Sequence, residues 1–213
     1  MGRFHIMGRN HCMLHLKGDT IVYPLPDDKL LDEYEEFWQV QFPEDYRAFL
    51  KQYNGVQVVE NAIPTARNTW ALVRFFCALN EPDQSESGCY DLMVVESPIE
   101  DFLTDDEDAD PVKYAPIGEV FGGCFLCLDY HKGPKNPGVC ILDVENSGEF
   151  EPVTYPVAKS FSEFLSLLKI PEDLSGLPAD YVEKQMAQPH LIEFATQAAQ
   201  PAKQEGWKWP WQR

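Results

Sequence analysis

The sequence predicts an α+β domain in which N-terminal helices precede a twisted, mainly antiparallel sheet and a closing helix, with a helical C-terminal extension behind. Three observations carry this. Apolar residues recur at helical spacing from about residue 27 to 55 and again over 160–168. Between those stretches lie six short β-leaning runs with turn-rich segments among them, which suits an antiparallel meander better than alternating βα units. Apolar residues make up 44% of the 213, and aromatics 13%, enough for a packed interior.

Near the start, Cys12, Leu14 and Leu16 alternate with Met13 and His15, and Gly18-Asp19 offers a two-residue turn before Thr20 to Tyr23. A β-hairpin is expected there. From Asp27 the period changes: Leu30, Leu31, Tyr34, Phe37 and Trp38 share one helical face, while Asp32, Glu33, Glu35 and Glu36 form an acidic outer face. A second helix should begin near Pro43, whose missing N–H is harmless in a first turn, with Glu44 and Asp45 at the positive end of the dipole. Tyr46, Phe49, Leu50 and Tyr53 make its buried stripe, and Asn54-Gly55 stops it.

The strand-like runs are Val56 to Val59, Trp70 to Leu79, Tyr114 to Ile117, Cys124 to Leu128, Val139 to Asp143 and Phe150 to Tyr155. Ser160 and Glu163 form a capping box for the last helix, whose Phe161, Phe164, Leu165 and Leu168 face inward before Pro171. Beyond it, a short helix around Tyr181 and another carrying Leu191, Phe194, Ala195 and Ala198 are expected, followed by a tail with Trp207, Trp209 and Trp211. Residues 1–26 thus read as a hairpin segment, 27–170 as the main domain and 171–213 as an extension.

Thirty-five acids against seventeen bases give a formal charge of −18. Such a field repels nucleic acid phosphates and anionic membranes, so neither is expected as a direct partner and a basic protein is. No window approaches the roughly eighteen apolar residues of a membrane span, and no continuous apolar stretch of signal-peptide type opens the chain, which together point to the cytoplasm. A disulfide framework is not expected from the six cysteines in that setting.

Few residues carry the marks of chemistry. Cys124 and Cys127 form a C-x-x-C inside a strand-like run, where an odd offset sends the thiols to opposite faces, and no second such pair completes a metal site. His11 and His15, four apart on a strand, stand on the order of 13 Å from one another, too far to share a metal. The segment Glu96 to Asp110 holds eight carboxylates in fifteen residues and no base. Asp106, Asp108 and Asp110 imitate the start of a calcium loop, yet Pro111 replaces the glycine of its sharp turn and Ile117 its bidentate Glu. This stretch is either a solvated loop or an electrostatic landing site, and Glu100, Asp101, Asp105, Asp106, Glu107 and Asp108 are its candidate partner-binding residues. Gly122-Gly123 precedes a strand, the wrong order for a phosphate loop. No nucleophile elbow, P-loop or zinc-helix pattern occurs, so no catalytic residue, metal or cofactor is assigned. An enzymatic alternative would use acids such as Asp129 and Asp143 with His131, and strand-end carboxylates of that kind are usually structural.

The stretch FPEDYRAFLKQYNG, residues 42–55, resembles the most characteristic motif of the SUKH superfamily, which includes Smi/Knr-type regulators of fungi and many bacterial immunity proteins. The family pattern LPxxYxxFLxxxNGG has Phe42 in place of its leading Leu and Val56 in place of its final Gly. YAPIGEVFGGCFLCLDY, residues 114–130, is similar to the family's Gly-rich turn and following strand, although Cys124 stands where many members carry an acid, and SFSEFLSLL, residues 160–168, is similar to its closing helix. The resemblance implies two helices, a twisted antiparallel sheet and a last helix, with no enzymatic activity. It also implies an immunity protein, an antitoxin that binds and neutralises a basic toxin domain such as a nuclease. A regulatory scaffold holding several host partners is the alternative.

Overall fold

The structure, a computed structural model of the chain, describes residues 13–66, 68–103, 112–148, 150–171 and 191–193. A six-stranded antiparallel sheet runs in sequence order: β2 (Ala62–Pro64), β3 (Thr69–Phe75), β4 (Tyr114–Val120), β5 (Cys124–Asp129), β6 (Gly138–Gly148) and β7 (Glu151–Ala158). The expected meander is therefore present. Helices α1 (Asp28–Trp38) and α2 (Glu44–Tyr53) precede it and α4 (Phe161–Leu167) follows it.

The register sorts the strands' side chains onto two faces. Leu72, Val120, Cys124, Leu126, Leu128, Val139 and Ile141 share one of them. Phe75 lies on this face too, and its ring meets Phe49 of α2 at 4.6 Å and Phe161 of α4 at 6.3 Å, so these helices cover that side. Trp70 of β3 and Tyr155 of β7 are separated in the ladder by three strands, roughly 19 Å across a flat sheet at the usual strand spacing. Their ring centroids are 5.5 Å apart, so the sheet is strongly curled.

Local chemistry explains the helix ends. Asp27 caps α1 by accepting the Leu30 N–H at 2.9 Å. Ser160 accepts the Glu163 N–H at 3.2 Å, while the Glu163 carboxylate reaches back to the Lys159 N–H at 2.7 Å, one residue before the cap. Asp45 at the start of α2 takes both the Ser162 N–H and its hydroxyl, fastening α2 to α4. At the far end of α2, Gly55 adopts φ +72°, and a Cβ there would lie 2.6 Å from Val22 Cγ2. Only glycine suits both the backbone and the space.

Four expectations are corrected. Thr20 to Tyr23 does not return along the first strand: β1 (Met13–His15) pairs with β8 (Leu191–Glu193), while Lys17 and Val22 donate to Gln57 and Asn54 in the chain leaving α2. Alternation had revealed an extended segment without revealing its partner. The same pairing replaces a helical start at Leu191; the remainder of the expected tail helices and the Trp-rich end lie outside the described residues. Val56 to Val59 is no strand, meeting Leu16 only through a single bridge at Val58. Finally, Leu92–Leu103 is a helix, α3, where a loop was expected from Glu96 onward. Leu92, Val95 and Ile99 recur at helical spacing and are buried, and α3 packs along β4, β6 and β7.

Candidate protein-docking surface

The acids of α1 are less available than the sequence suggests, because α2 answers them. Arg47 donates from Nη1 to Glu35 at 2.7 Å and from Nη2 to Asp28 and Asp32 at 2.9 and 2.8 Å, and Lys51 also pairs with Asp28. The bond from Lys51, aided by Arg47, holds the Asp28 carboxyl below its ordinary pKa. Glu35 is pushed up instead, since burial outweighs the nearby guanidinium, and it also accepts the Phe42 N–H at 2.5 Å. This clasp joins the two helices through Arg47, which is half-buried, with Lys51 beside it. Arg47→Ala is expected to lower stability by about 1–3 kcal/mol, with a smaller deficit at high salt, as read by urea unfolding in low and high NaCl.

Strands β4 to β7 divide their charge by end. Lys113, Lys132, Lys135 and Lys159 flank β4 to β7 at the end where β5 turns into β6, and all four are exposed. Residues 114–130 and 136–158 contain no Lys or Arg. At the other end stand the β4–β5 and β6–β7 turns. Phe121 at the first is 75% exposed, between β4 and Gly122-Gly123 with φ of +93° and +75°. Phe150 at the second is 41% exposed with φ +59°.

Asp143 shapes this second end. The register runs from Asp143↔Val153 directly to Gly148↔Glu151, so Val144 to Ser147 bulge out against Pro152 alone. The Asp143 carboxylate, 3% exposed, accepts the Asn146 N–H and side-chain amide at 3.2 and 2.9 Å, and the Ser147 hydroxyl donates to its carbonyl at 2.6 Å. The bulge presents Glu145 and Asn146 to solvent.

The motif at the end of α2 earns its Asn-Gly through a clamp. After β3, residues 77–79 leave the ladder and need other partners for their backbone groups. Asn54, fully buried, accepts the Ala78 N–H at 2.8 Å and donates to the Ala78 carbonyl at 3.1 Å. From the other side Asp91 accepts the Leu79 N–H at 2.9 Å and the Tyr34 hydroxyl at 2.5 Å, and caps the start of α3 by taking the Met93 N–H at 3.1 Å. Residues 25–167, which contain the clamp, both charged helices and the whole sheet, match the SMI1 / KNR4 family (SUKH-1). The chain belongs to that family. A comparison with curated proteins finds no match.

In this SUKH-1 chain Glu100 and Asp101 fall within α3, whereas Asp105, Asp106, Glu107 and Asp108 lie outside the described residues. Of the eight acids in that segment, Glu96 is buried, which the charge count did not foresee. Sequence reasoning also missed Asp91, and read Asn54 as part of a helix stop without its bonds to Ala78; an Asp directly before the apolar run Leu92 to Val95 was the available signal for the first. Cys124 and Cys127 do point to opposite faces, and Cys127 sits opposite Cys140 across β5 and β6. Burial pushes the Cys124 thiol up to about 11 and raises Cys127 as well, leaving both protonated.

The residues of the enzymatic alternative are separated. His131 pairs with Asp129 and stacks on Tyr114 with ring centroids 6.4 Å apart. Asp129 stands opposite Gly138, five residues along β6 from Asp143, or about 17 Å. They form no common site. His15 is likewise engaged, by Glu60 at 2.6 Å, and His11 lies outside the described residues. Among the described residues no helix is long and apolar enough to cross a membrane.

Proposed function

We propose that this SUKH-1 protein is a non-catalytic immunity-type inhibitor, present in the cytoplasm, that binds and neutralises a basic toxin domain such as a nuclease. The observation that carries the reading is the charge of −18 on a chain of this family. Toxins that act on nucleic acid tend to be basic because their substrate is polyanionic, and an acidic inhibitor meets them quickly and in a favoured orientation. The Arg47 clasp neutralises part of the α1 face, so the surplus acids must act elsewhere on the surface.

The test is titration of the purified chain into the product of a toxin-like reading frame sought beside its gene, reading both complex formation and toxin activity. A stoichiometric complex that suppresses the activity, with affinity falling at least about tenfold from low to high salt, is the expected result. Failure to bind, or binding without inhibition, would refute the reading, and a salt-independent affinity would refute its electrostatic basis.

A further inference from the structure

We infer that the basic partner docks on the hairpin-tip end of the sheet, with Phe121 and Phe150 as apolar anchors and Glu145 and Glu151 as the charges beside them. The inference rests on the inhibitor reading and names where that inhibitor makes contact.

Phe121 contributes almost nothing to the interior at 75% exposure, yet it is held in place. Its N–H donates to the Ala71 carbonyl at 2.8 Å, and the two glycines that follow complete the turn with positive φ. Beside it on β3, Ala71 is exposed and Val73 is 37% exposed, so the ring stands next to further apolar surface. Phe150 occupies a left-handed backbone conformation that bulky residues rarely adopt. A bulky side chain held in such a conformation at the tip of a hairpin, with much of its ring open to solvent, is kept there at a backbone cost that points to a role outside the core.

The two rings lie close enough to engage one partner. The β4–β5 turn is next to β6, and Phe150 extends three residues beyond Val153, so the anchors stand within roughly 15 Å of one another at ordinary strand dimensions. A standard interface of about 800 Å² per partner spans both. Rigid aromatic anchors with near-neutral surroundings are the usual source of binding energy in such interfaces.

Charge selects the kind of partner. Glu145 is displayed by the bulge that Asp143 organises, and Glu151 follows Phe150 directly. Both are exposed, and no Lys or Arg occurs in 114–130 or 136–158. The four lysines at the opposite end of the sheet oppose approach of a basic surface from that side. Aromatic anchors with the carboxylates of Glu145 and Glu151 beside them fit a basic protein face; they do not fit a nucleic acid or an anionic lipid surface.

The experiment uses the full chain and the same purified toxin domain as the inhibition test, with calorimetric titration and a thermal melt of every variant. Phe121→Ala and Phe150→Ala are each expected to weaken binding roughly ten- to a hundredfold without lowering the melting temperature, and Glu145→Lys with Glu151→Lys to weaken it at least as much. Glu100→Gln with Asp101→Gln should leave affinity within about threefold. If the wild-type chain binds but both Phe variants and the charge reversal bind equally well, this surface is refuted while the inhibitor reading stands. Loss of binding in the Glu100 and Asp101 variant alone would move the interface to α3 and equally overturn the inference. A wild-type chain that does not bind the toxin at all would remove both.

Discussion

Phe161→Ala is expected to lower stability by about 3–5 kcal/mol, the range for removing a fully buried aromatic side chain from a core. The ring is completely inaccessible and meets four others: Tyr46 at 5.0 Å, Phe49 at 5.3 Å, Phe164 at 6.1 Å and Phe75 at 6.3 Å. These belong to α2, α4 and β3, so one side chain joins the family motif, the closing helix and the sheet. Its surroundings cannot collapse into the space without moving elements that are pinned elsewhere, α2 and α4 by the Asp45–Ser162 bonds. Urea unfolding should show a midpoint shift at unchanged slope; a loss under 1 kcal/mol would show that the aromatic cluster is not the structural centre.

Asp91→Ala is expected to cost about 2–4 kcal/mol at neutral pH, because two buried donors, the Leu79 N–H and the Tyr34 hydroxyl, lose their acceptor. The pH dependence follows from the same site. Burial pushes the Asp91 carboxyl up to about 6 from its ordinary 3.8, although Tyr34, Leu79 and Met93 all donate to it. The folded protein therefore binds a proton that the unfolded chain releases over that interval. The proton-linked part of Asp91's contribution is full below about pH 4 and is lost as pH rises through about 6, leaving at neutral pH the hydrogen bonds alone. The stability gap between wild type and variant should thus widen as pH falls from about 7.5 to 4.5, measured by urea unfolding at each pH. A gap that narrows on acidification would mean that the bonds outweigh burial at this carboxylate.

Most of the frame was legible in the sequence because its signals are local. Helical spacing in 30–38 and 46–53, the Ser160–Glu163 pair and the turn glycines at 122 and 123 each specify a conformation within a few residues. What stayed hidden depends on distant partners. Nothing in residues 12–23 announces that β1 pairs with Leu191–Glu193, and a single bridge at Val58 is invisible to periodicity. The α3 helix was obscured by counting charges: Glu96 and its neighbours look like a solvated loop until Leu92, Val95 and Ile99 are read as one stripe. The candidate surface was less legible than the fold. Exposure of Phe121 and Phe150, and the gathering of four lysines at one end of β4 to β7, arise only once the meander is drawn.

The long excursion between β3 and β4, which carries α3, has a kinetic consequence. Each pairing from β4 to β7 closes a short loop, whereas Leu72 reaches Val120 across about 50 positions of chain. Loop-closure entropy favours the four-stranded meander as the part that organises first, with the edge pair β2–β3 and the clamped segment 77–79 joining once α1 and α2 are in place. The family motif would then serve late in folding, as the catch that admits the last strands.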